Sequence, residues 1–310
     1  MRAGRPWWDG SVPSPRVTAH DGPLDDPTAA RVRTLAAAAA AHDGVAPLGE
    51  QTFLDLADPG APAARLLALA GDAVVGYGHV DLRRAPASAE LVVAPDARGA
   101  GIGAALLAAV RRAADAAGAG PVRVWAHGDL PGARALAALT GLAVRRELWQ
   151  MARDLPPHGA PTPAPELPPD VTLRPYRPGA DDDAVLAVNA RAFAWHPEQG
   201  RLDAAGLAAR RAEPWFRPED LLLAERAGRV VAFTWLKVDD PADGELYVLA
   251  VDPAAQGTGL GRALTAVTLE RLAARGLRRA VLFTEADNHP AVATYRRAGF
   301  DVVRRDVQYG

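Results

Sequence analysis

The chain has 310 residues, enough for two domains of ordinary size, and 49% of them are hydrophobic while 23% are charged. A formal net charge of −2 excludes the strongly basic surface that draws nucleic acid or an anionic membrane. The sequence has no cysteine, which excludes disulfides, thiolate–metal sites and a cysteine nucleophile. No apolar stretch approaches the roughly 20 residues that span a bilayer, and no export signal is recognisable, so a cytoplasmic protein is expected.

Proline and glycine interrupt the first 25 residues, which show little periodicity and are interpreted as a mobile leader over 1–25. Apolar periodicity then predicts a first domain over 26–154. Its expected elements, in chain order, are a helix over 28–42, strands over 65–70, 73–82 and 90–95, a helix over 104–117, a strand over 122–126 and a short helix near 132–139.

Seven prolines between residues 155 and 170 predict a semi-rigid, extended linker over 155–170. A second domain is expected over 171–310. Its elements, in chain order, are a strand over 171–176, helices over 181–193 and 202–211, a hairpin of strands over 221–226 and 229–239, an apolar strand over 245–251, a helix over 262–275, a strand over 279–284 and a short helix that carries Tyr295.

A glycine-rich loop joins the apolar strand of the second domain to the helix that follows. Its glycines permit a tight turn in which backbone N–H groups crowd at a helix start, and those groups together with the helix dipole favour an anion. The P-loop is excluded because Arg262 and Ala263 follow Gly261, where Lys-Ser/Thr is required. The spacing of the glycines also excludes the dinucleotide fingerprint. The pattern that matches is Q/R-x-x-G-x-G/A, with Gln256, Gly259 and Gly261 at its fixed positions.

This pattern resembles the acyl-CoA pyrophosphate loop of the GCN5-related N-acetyltransferases (GNATs). The order of strand, loop, helix, strand and short helix around it resembles the core of the same family. The resemblance implies an α/β fold with a mixed α+β sheet and acetyl-CoA as co-substrate. No spaced cluster of His, Asp and Glu suggests a metal, so none is expected. An ordinary βαβ turn with incidental glycines stays open as the alternative.

The first domain repeats the loop and its surroundings at a constant offset of 158 residues. Chance glycines would not keep one register over about 40 residues, so the repeat indicates an internal duplication and predicts two tandem GNAT domains. The matched pairs are Arg98 with Gln256, Gly101 with Gly259, Gly103 with Gly261, and Gly141 with Gly299.

Acetyl transfer from a thioester to an amine requires a neutral amine and a stabilised thiolate. An α-amine has a pKa of about 8 and is mostly protonated at pH 7, so a nearby carboxylate is needed to accept its proton. Full proton transfer from a phenol (pKa ~10) to a thiolate (pKa ~8.5) is uphill by about 2 kcal/mol, so a tyrosine helps chiefly by hydrogen bonding to the developing charge. In the second domain Glu245 and Tyr295 are the candidate base and acid. The alternatives are a solvated charge at a strand edge and a half-buried core tyrosine.

At the offset of 158, the first domain has Ala87 in place of Glu245 and Ala137 in place of Tyr295. It therefore keeps the phosphate loop and lacks both candidate catalytic side chains. We expect one active domain, the second. Two roles stay open for the first domain, which are to hold acetyl-CoA without turnover or to serve a purely structural purpose.

Over nearly all of residues 28–309, the chain also resembles a narrower family, the mycothiol synthases, which are tandem acetyltransferases. Six segments carry this likeness, and the first and third of them are not generic to acetyltransferases. The segments are 43–51 (DGVAPLGEQ), 125–128 (WAHG), 193–200 (FAWHPEQG), 235–238 (WLKV), 244–249 (GELYVL) and 252–256 (DPAAQ).

The narrower resemblance implies transfer of acetyl to the cysteinyl amine of a cysteine–glucosamine–inositol pseudodisaccharide. It assigns substrate contacts to Glu50, Glu198, Lys237 and Glu245, with Glu245 also the base and Tyr295 the acid. The family can present a substrate-contacting tyrosine two residues before the Glu of E-x-D-N. This chain has Phe283 there, so one hydroxyl contact is lost.

The resemblance also implies two binding regions for acetyl-CoA. The region in the active domain would consist of Leu249, Ala250, Val251, Gln256, Gly257, Thr258, Gly259, Leu260, Gly261, Arg262, Asn288, His289, Pro290, Ala291, Val292 and Ala293. A second, unreactive molecule would contact Leu91, Val92, Val93, Gly99, Ala100, Gly101, Ile102, Gly103 and Ala104.

Two other functions stay open. One is a tandem GNAT for another small amine, such as an aminoglycoside or a polyamine, and the segment 196–200 argues against it. The other is an acetyl-CoA-binding regulatory protein without turnover, which the retention of Glu245 and Tyr295 disfavours. The expected partner is a small molecule, not nucleic acid or a membrane, and a monomer is expected because two similar domains already occur in one chain.

Overall fold

The protein is described by a computed structural model that covers residues 16–20, 22–157, 159, 166–195 and 199–310. Most of the predicted leader, the middle of the predicted linker and Glu198 lie outside these residues. Within them no helix has the length and apolar character needed to cross a membrane.

The elements of the described chain, in order, are β1 (Arg16–His20), α1 (Asp26–Asp43), α2 (Glu50–Asp55), β2 (Ala63–Ala70), β3 (Ala73–Asp81), β4 (Ser88–Val93), α3 (Ile102–Ala116), β5 (Arg123–Ala126), α4 (Pro131–Leu139), β6 (Val144–Asp154), β7 (Val171–Pro175), α5 (Asp182–Ala192), α6 (Ala204–Arg211), β8 (Leu221–Arg226), β9 (Arg229–Lys237), β10 (Asp243–Val251), α7 (Leu260–Ala274), β11 (Arg279–Glu285), α8 (His289–Arg297) and β12 (Asp301–Tyr309).

The predicted leader over 1–25 is too long, because residues 16–20 form strand β1. This strand pairs antiparallel with β2, with Arg16 opposite Leu69 and His20 opposite Arg65. Val17 packs against the core beneath the sheet. The short run Arg-Val-Thr-Ala-His has too few alternating apolar positions to predict a strand by itself, so its pairing partner decides its structure.

The chain divides into two compact units: unit 1 is 1–147 with 305–310, and unit 2 is 148–304. Strand order in unit 1 is β1-β2-β3-β4-β5-β12, and in unit 2 it is β7-β8-β9-β10-β11-β6. In each unit one central pair is parallel, β4 with β5 and β10 with β11, beside antiparallel neighbours. The predicted mixed sheet is therefore confirmed in both halves.

The last strand of each half belongs to the sheet of the other half. Residues 148–154 of β6 pair with β11, and Val307–Tyr309 of β12 pair with β5. The units therefore differ from the predicted domains over 26–154 and 171–310. The alternation of apolar residues along a strand predicts which face is buried but not which neighbour it pairs with, so the exchange was not visible in the sequence.

Helices cover both faces of each sheet. In unit 1, α3 lies on one face through Ile102, Leu106 and Val110, which recur at four-residue spacing, and α1 lies on the other face. In unit 2, α7 packs on one face and α5 on the other. A leucine or valine buried this fully contributes about 1.5–3 kcal/mol, so both faces are needed to hold each sheet.

A buried group of charged residues joins β4, β5, β12 and the start of α2 in unit 1. His127 contacts Glu90 through Nε2 at 2.8 Å and Asp306 through Nδ1 at 3.1 Å. Glu90 also accepts hydrogen bonds from the Gly49 N–H at 2.9 Å and the Thr52 hydroxyl at 2.7 Å. Burial alone would lower the pKa of His127, but the hydrogen bonds to Asp306 and Glu90 raise it to about 10. The imidazolium is thus the positive centre that allows two carboxylates to be buried together.

Because of this group of residues, we expect the free energy of unfolding to fall at alkaline pH. Since the pKa of His127 rises from 6.5 when unfolded to about 10 when folded, its stabilisation is complete below about pH 6.5 and is lost as pH rises towards 10. Denaturant unfolding between pH 6 and 10 should show this decline in the wild type. His127→Gln should be less stable at neutral pH by about 3–5 kcal/mol and should show a weaker decline. Parallel pH profiles for the two proteins would contradict the assignment.

Candidate functional site

The two parallel strands of unit 2 separate halfway along their length. The pairing of β10 with β11 runs from Asp243 opposite Arg279 to Leu246 opposite Leu282, although the strands continue to Val251 and Glu285. Beyond Leu246, none of the described residues of β10 pairs with β11. An extended ligand that enters this opening can therefore bind along the backbone of β10.

A β-bulge lies where the strands separate. On the other edge of β10, Leu246 is opposite Leu236 and Val248 is opposite Trp235, so Tyr247 is an extra residue without a ladder position. A bulge of this kind bends the strand and re-aims nearby side chains. It places the tyrosine ring on the same sheet face as Trp235.

The glycine-rich loop ends at the start of α7. Gly257 has φ +77° and Gly259 has φ +83°, the left-handed region that glycine tolerates, and Gly259 is the N-cap of the helix without a side-chain cap. Residues 256–259 are exposed. The Thr258 hydroxyl donates to the Ala255 carbonyl at 2.8 Å, which stiffens the turn. Uncapped N–H groups at an exposed helix start fit the pyrophosphate of acetyl-CoA.

Glu245 and Lys237 lie side by side on the face of the sheet that α5 covers. They are directly opposite each other in the β9–β10 ladder. Leu246 belongs to the core beneath α7, so its neighbour Glu245 points to the opposite face, where Trp235 and Val248 pack. Trp235 lies two residues before Lys237 on β9 and therefore shares this face. Glu245 is half-buried, as a base that must receive an amine from solvent requires.

Tyr295 approaches the opening from the other face. It lies on α8, is 6% exposed, and belongs to the core cluster that contains Leu246 and Leu282, the last paired residues of the two strands. Its ring packs edge-on against Phe300, with centroids 6.0 Å apart. Its hydroxyl has no hydrogen-bond partner among the described residues. Burial raises the pKa of Tyr295 above its ordinary value, so the hydroxyl keeps its proton at neutral pH.

Comparison with known proteins identifies the chain. The Acetyltransferase (GNAT) family matches residues 189–300 and the Acetyltransferase (GNAT) domain matches residues 62–138. A protein named mycothiol acetyltransferase from Sanguibacter keddieii is 52% identical, with 94% of this chain and 96% of that protein covered. Another of that name from Cellulomonas flavigena is 49% identical, with 95% and 88% covered. The chain belongs to the mycothiol acetyltransferase family.

Solved structures agree with the tandem fold of this family. A GCN5-related N-acetyltransferase from Sphaerobacter thermophilus is 26% identical, with a TM-score of 0.68 and 94% of each chain covered. A tandem GNAT protein from the clavulanic acid biosynthesis pathway gives a TM-score of 0.72 at 22% identity, with 95% of this chain and 98% of that one covered. The second likeness concerns the fold alone. The predicted tandem GNAT architecture is confirmed.

The other acceptor contacts expected in a mycothiol acetyltransferase occupy different places. Phe283 is 37% exposed and lies one residue beyond the last position of β11 that pairs with β10, with the Arg304 guanidinium 5.5 Å from its ring centroid. By strand alternation it shares the sheet face of Glu245. Glu50 is the first residue of α2 in unit 1. It directly follows Gly49, whose backbone N–H donates a hydrogen bond to Glu90. Glu198 lies outside the described residues. The roles of all these residues stay predictions.

Asn288 begins α8, the second element expected to contact acetyl-CoA in this family. Its side-chain oxygen accepts the N–H of Ala291 at 3.3 Å, and Pro290 stands in the first turn. The residue therefore fixes the helix start, and through it the position of Tyr295. In the described part of the chain no group of three or more His, Asp or Glu is arranged to hold a metal.

The phosphate loop of unit 1 has the same backbone shape. Gly99 and Gly101 have φ +79° and +82°, close to the values at Gly257 and Gly259. Arg98, however, makes a two-point salt bridge to Asp43 at 2.7 and 2.6 Å, and this contact lowers the pKa of Asp43. The family segment 43–51 thus has a structural role in unit 1 as well.

The structure corrects one pairing between the halves. Three neighbouring strands of unit 2 have directly opposite residues at Lys237 on β9, Glu245 on β10 and Val281 on β11. The matching row in unit 1 is Asp81 on β3, Ser88 on β4 and Arg123 on β5. Ser88 is therefore the counterpart of Glu245. Ala87, predicted from the constant offset, is fully buried against α3 on the other face. The offset fails before the loop because β10 contains the bulged residue and β4 does not. The absence of a carboxylate at this position is unchanged.

Sequence reasoning missed the aromatic surroundings of Lys237. Trp215 lies in the segment after α6 and contacts both Trp235 and Tyr247, with ring centroids 5.8 and 5.3 Å apart. Arg210 donates to the Tyr247 hydroxyl at 2.8 Å. The only sequence signal for this group was the density of aromatic residues, which core packing explains equally well.

Proposed function

We propose that the chain transfers acetyl from acetyl-CoA to the cysteinyl amine of cysteinyl-glucosaminyl-inositol and so forms mycothiol. The observation that carries this proposal is the opening between β10 and β11, with Glu245 on one face and Tyr295 at the other, in a chain of the mycothiol acetyltransferase family. In this proposal acetyl-CoA lies in the opening with its pyrophosphate at the loop 256–259.

The two side chains have separate tasks. Glu245 accepts a proton from the incoming ammonium, directly or through water, and the neutral amine forms the new C–N bond. Tyr295 donates a hydrogen bond to sulfur as the C–S bond breaks, because its buried hydroxyl keeps its proton and lacks a competing partner among the described residues. Glu245 passes the proton of the ammonium to solvent, and the attacking nitrogen loses a second proton as the C–N bond forms and the C–S bond breaks. The departing thiolate gains a proton at the site of Tyr295, so an ammonium and a thioester give an amide, a thiol and one released proton.

The acceptor contacts suit this substrate. Carboxylates at Glu50, Glu198 and Glu245 would attract a cationic amine and accept hydrogen bonds from hydroxyl groups, and Lys237 would donate to oxygen. Unit 1 is proposed to be non-catalytic, because Ser88 and Ala137 replace the two reacting side chains. The monomeric state, the cytoplasmic location and the binding of acetyl-CoA to unit 1 remain predictions.

The test is an acceptor panel with the full chain and acetyl-CoA. The product should be followed by mass spectrometry, because the proposed acceptor carries its own thiol and would react with thiol reagents. We expect kcat/KM for the cysteinyl pseudodisaccharide to exceed that for glucosaminyl-inositol, an aminoglycoside or a polyamine by about 100-fold or more. Faster reaction with one of the other amines would replace the substrate. Acetyl-CoA binding without reaction of any amine would indicate a regulatory protein.

A further inference from the structure

Lys237 is the only lysine in the chain. The sequence contains 35 lysines and arginines, and each of the others is arginine. Arginine and lysine are interchangeable at most exposed positions but not where the shape of the cation matters. A compact ammonium is therefore used at one position only, and that position is directly opposite Glu245 in the β9–β10 ladder.

Two aromatic rings lie against this ammonium. Lys237 Nζ is 5.1 Å from the centroid of the Trp215 ring and 5.6 Å from that of Tyr247. The lysine side chain is 13% exposed. Both distances lie within the range of cation–π attraction, which contributes about 0.5–1 kcal/mol at exposed sites and about 2 or more where water is excluded. Asp239 is 3.3 Å away but 55% exposed, so this ion pair is expected to add little.

The rings themselves are fixed from behind. Trp215 and Tyr247 pack against the fully buried Trp235, and Arg210 holds the Tyr247 hydroxyl. The indole N–H groups of Trp215 and Trp235 are buried and lack hydrogen-bond acceptors among the described residues. These two indoles therefore contribute ring faces and volume instead of polar contacts.

Unit 1 shows the same sheet without this arrangement. Its strand β4 pairs with β3 without a register shift, and Asp81 occupies the ladder position that corresponds to Lys237 in unit 2. The bulged tyrosine and the lysine therefore occur together in the half that carries Glu245, and both are missing in the half that lacks it.

We propose that Trp215 and Tyr247 are positioning residues that hold the Lys237 ammonium beside Glu245, so that it donates hydrogen bonds to an oxygen of the acceptor close to the reacting amine. The inference rests on the proposed function in that the acceptor is an amine substrate. It adds the requirement that this amine stands next to an oxygen acceptor, such as the carbonyl of an aminoacyl amide. Lysine suits this place because its ammonium is a compact point charge with its donors on one atom, whereas the planar guanidinium of arginine spreads its donors over a fork.

Because the lysine is unique, its environment can be measured without turnover. The full chain is treated with trinitrobenzenesulfonate, and modification of the peptide that contains Lys237 is followed by mass spectrometry. The α-amino group at the N-terminus lies on another peptide. Tyr247→Leu and, independently, Trp215→Leu should each change the rate of modification by about fivefold or more, the equivalent of one cation–π contact. Tyr247→Phe keeps the ring and its packing on Trp215 and Trp235 but loses the contact with Arg210, so its rate should lie much closer to the wild-type value than that of Tyr247→Leu.

The matched control is Phe216→Leu, which removes a neighbouring ring that packs 5.9 Å from Trp235 but does not contact the ammonium. It should leave the rate of modification of Lys237 near the wild-type value. Circular dichroism and thermal unfolding of each variant identify any loss of structure. If neither leucine variant changes the reactivity of Lys237 more than this control, the rings do not hold the lysine.

The second measurement uses the best amine in the acceptor panel, whichever it is, so that a wrong substrate does not decide the result. Tyr247→Leu and Trp215→Leu should raise the KM for this acceptor by about fivefold or more and leave the KM for acetyl-CoA unchanged. An altered reactivity of Lys237 with an unchanged acceptor KM would overturn the contact with the acceptor. Equal losses for an aminoacyl amine and a simple alkylamine would overturn the requirement for a neighbouring oxygen.

Discussion

Replacement of Glu245 by Gln is expected to lower kcat by about 10²–10⁴-fold, the range that a positioned general base contributes. Glutamine keeps the size of the side chain and its place opposite Lys237 but cannot accept the proton of the amine. The Kd of acetyl-CoA should change little, because the phosphate loop and β10 backbone are untouched. Steady-state kinetics with the cysteinyl pseudodisaccharide and calorimetric titration of acetyl-CoA measure the two quantities.

Glu219→Gln provides the control, since Glu219 is an exposed carboxylate of unit 2 outside the proposed site. It should leave both quantities unchanged. The Glu245 variant also tests the asymmetry between the halves. If unit 1 were an active site, with Ser88 in the matching position, a large share of the turnover would survive in Glu245→Gln. Such residual activity would contradict the proposal of a single active unit.

Replacement of Tyr295 by Phe is expected to lower kcat by about 10²-fold or more, the usual loss when one donor to a developing negative charge is removed. The ring would still pack against Phe300, so folding and the Kd of acetyl-CoA should remain close to the wild-type values. Because burial raises the pKa of Tyr295, its ionisation should not limit the wild-type rate between pH 7 and about 10. Rapid-mixing kinetics of the acetyl transfer step would measure the loss directly.

Tyr309→Phe is the matched control for the loss of one tyrosine hydroxyl. The Tyr309 hydroxyl donates to Asp129 at 2.6 Å in unit 1, away from the residues assigned to catalysis. Its loss should affect stability more than turnover. Equal kcat for Tyr295→Phe and the wild type would remove Tyr295 from the mechanism, whatever the result for Glu245.

Much of the site could be predicted because its signals are local. The loop from Gln256 to Gly261 has a fixed spacing, and the structure places it at a helix start with two left-handed glycines. The pairing of Tyr295 with Ala137 at the constant offset is also confirmed, since each is the seventh residue of the helix that follows the parallel pair. Such patterns depend on neighbours in sequence, which a single chain displays.

What could not be predicted depends on pairing between distant strands. One inserted residue at Tyr247 moved the counterpart of Glu245 from Ala87 to Ser88, because each step along a strand reverses the face. The aromatic contacts of Lys237 join three separate segments, and nothing in their spacing shows that they meet. Likewise, the predicted elements end with the helix of Tyr295, and nothing in residues 301–309 indicates β5 as the partner of the strand that they form.

The exchange of final strands has a consequence for how the protein can be made. A gene fragment that stops at residue 154 would produce an N-terminal half without β12 at its sheet edge, and a fragment that starts at 171 would lack β6. Each would expose unpaired N–H and C=O groups that invite aggregation. During synthesis, the sheet of unit 1 must also wait for residues 307–309 before its edge beside β5 is paired.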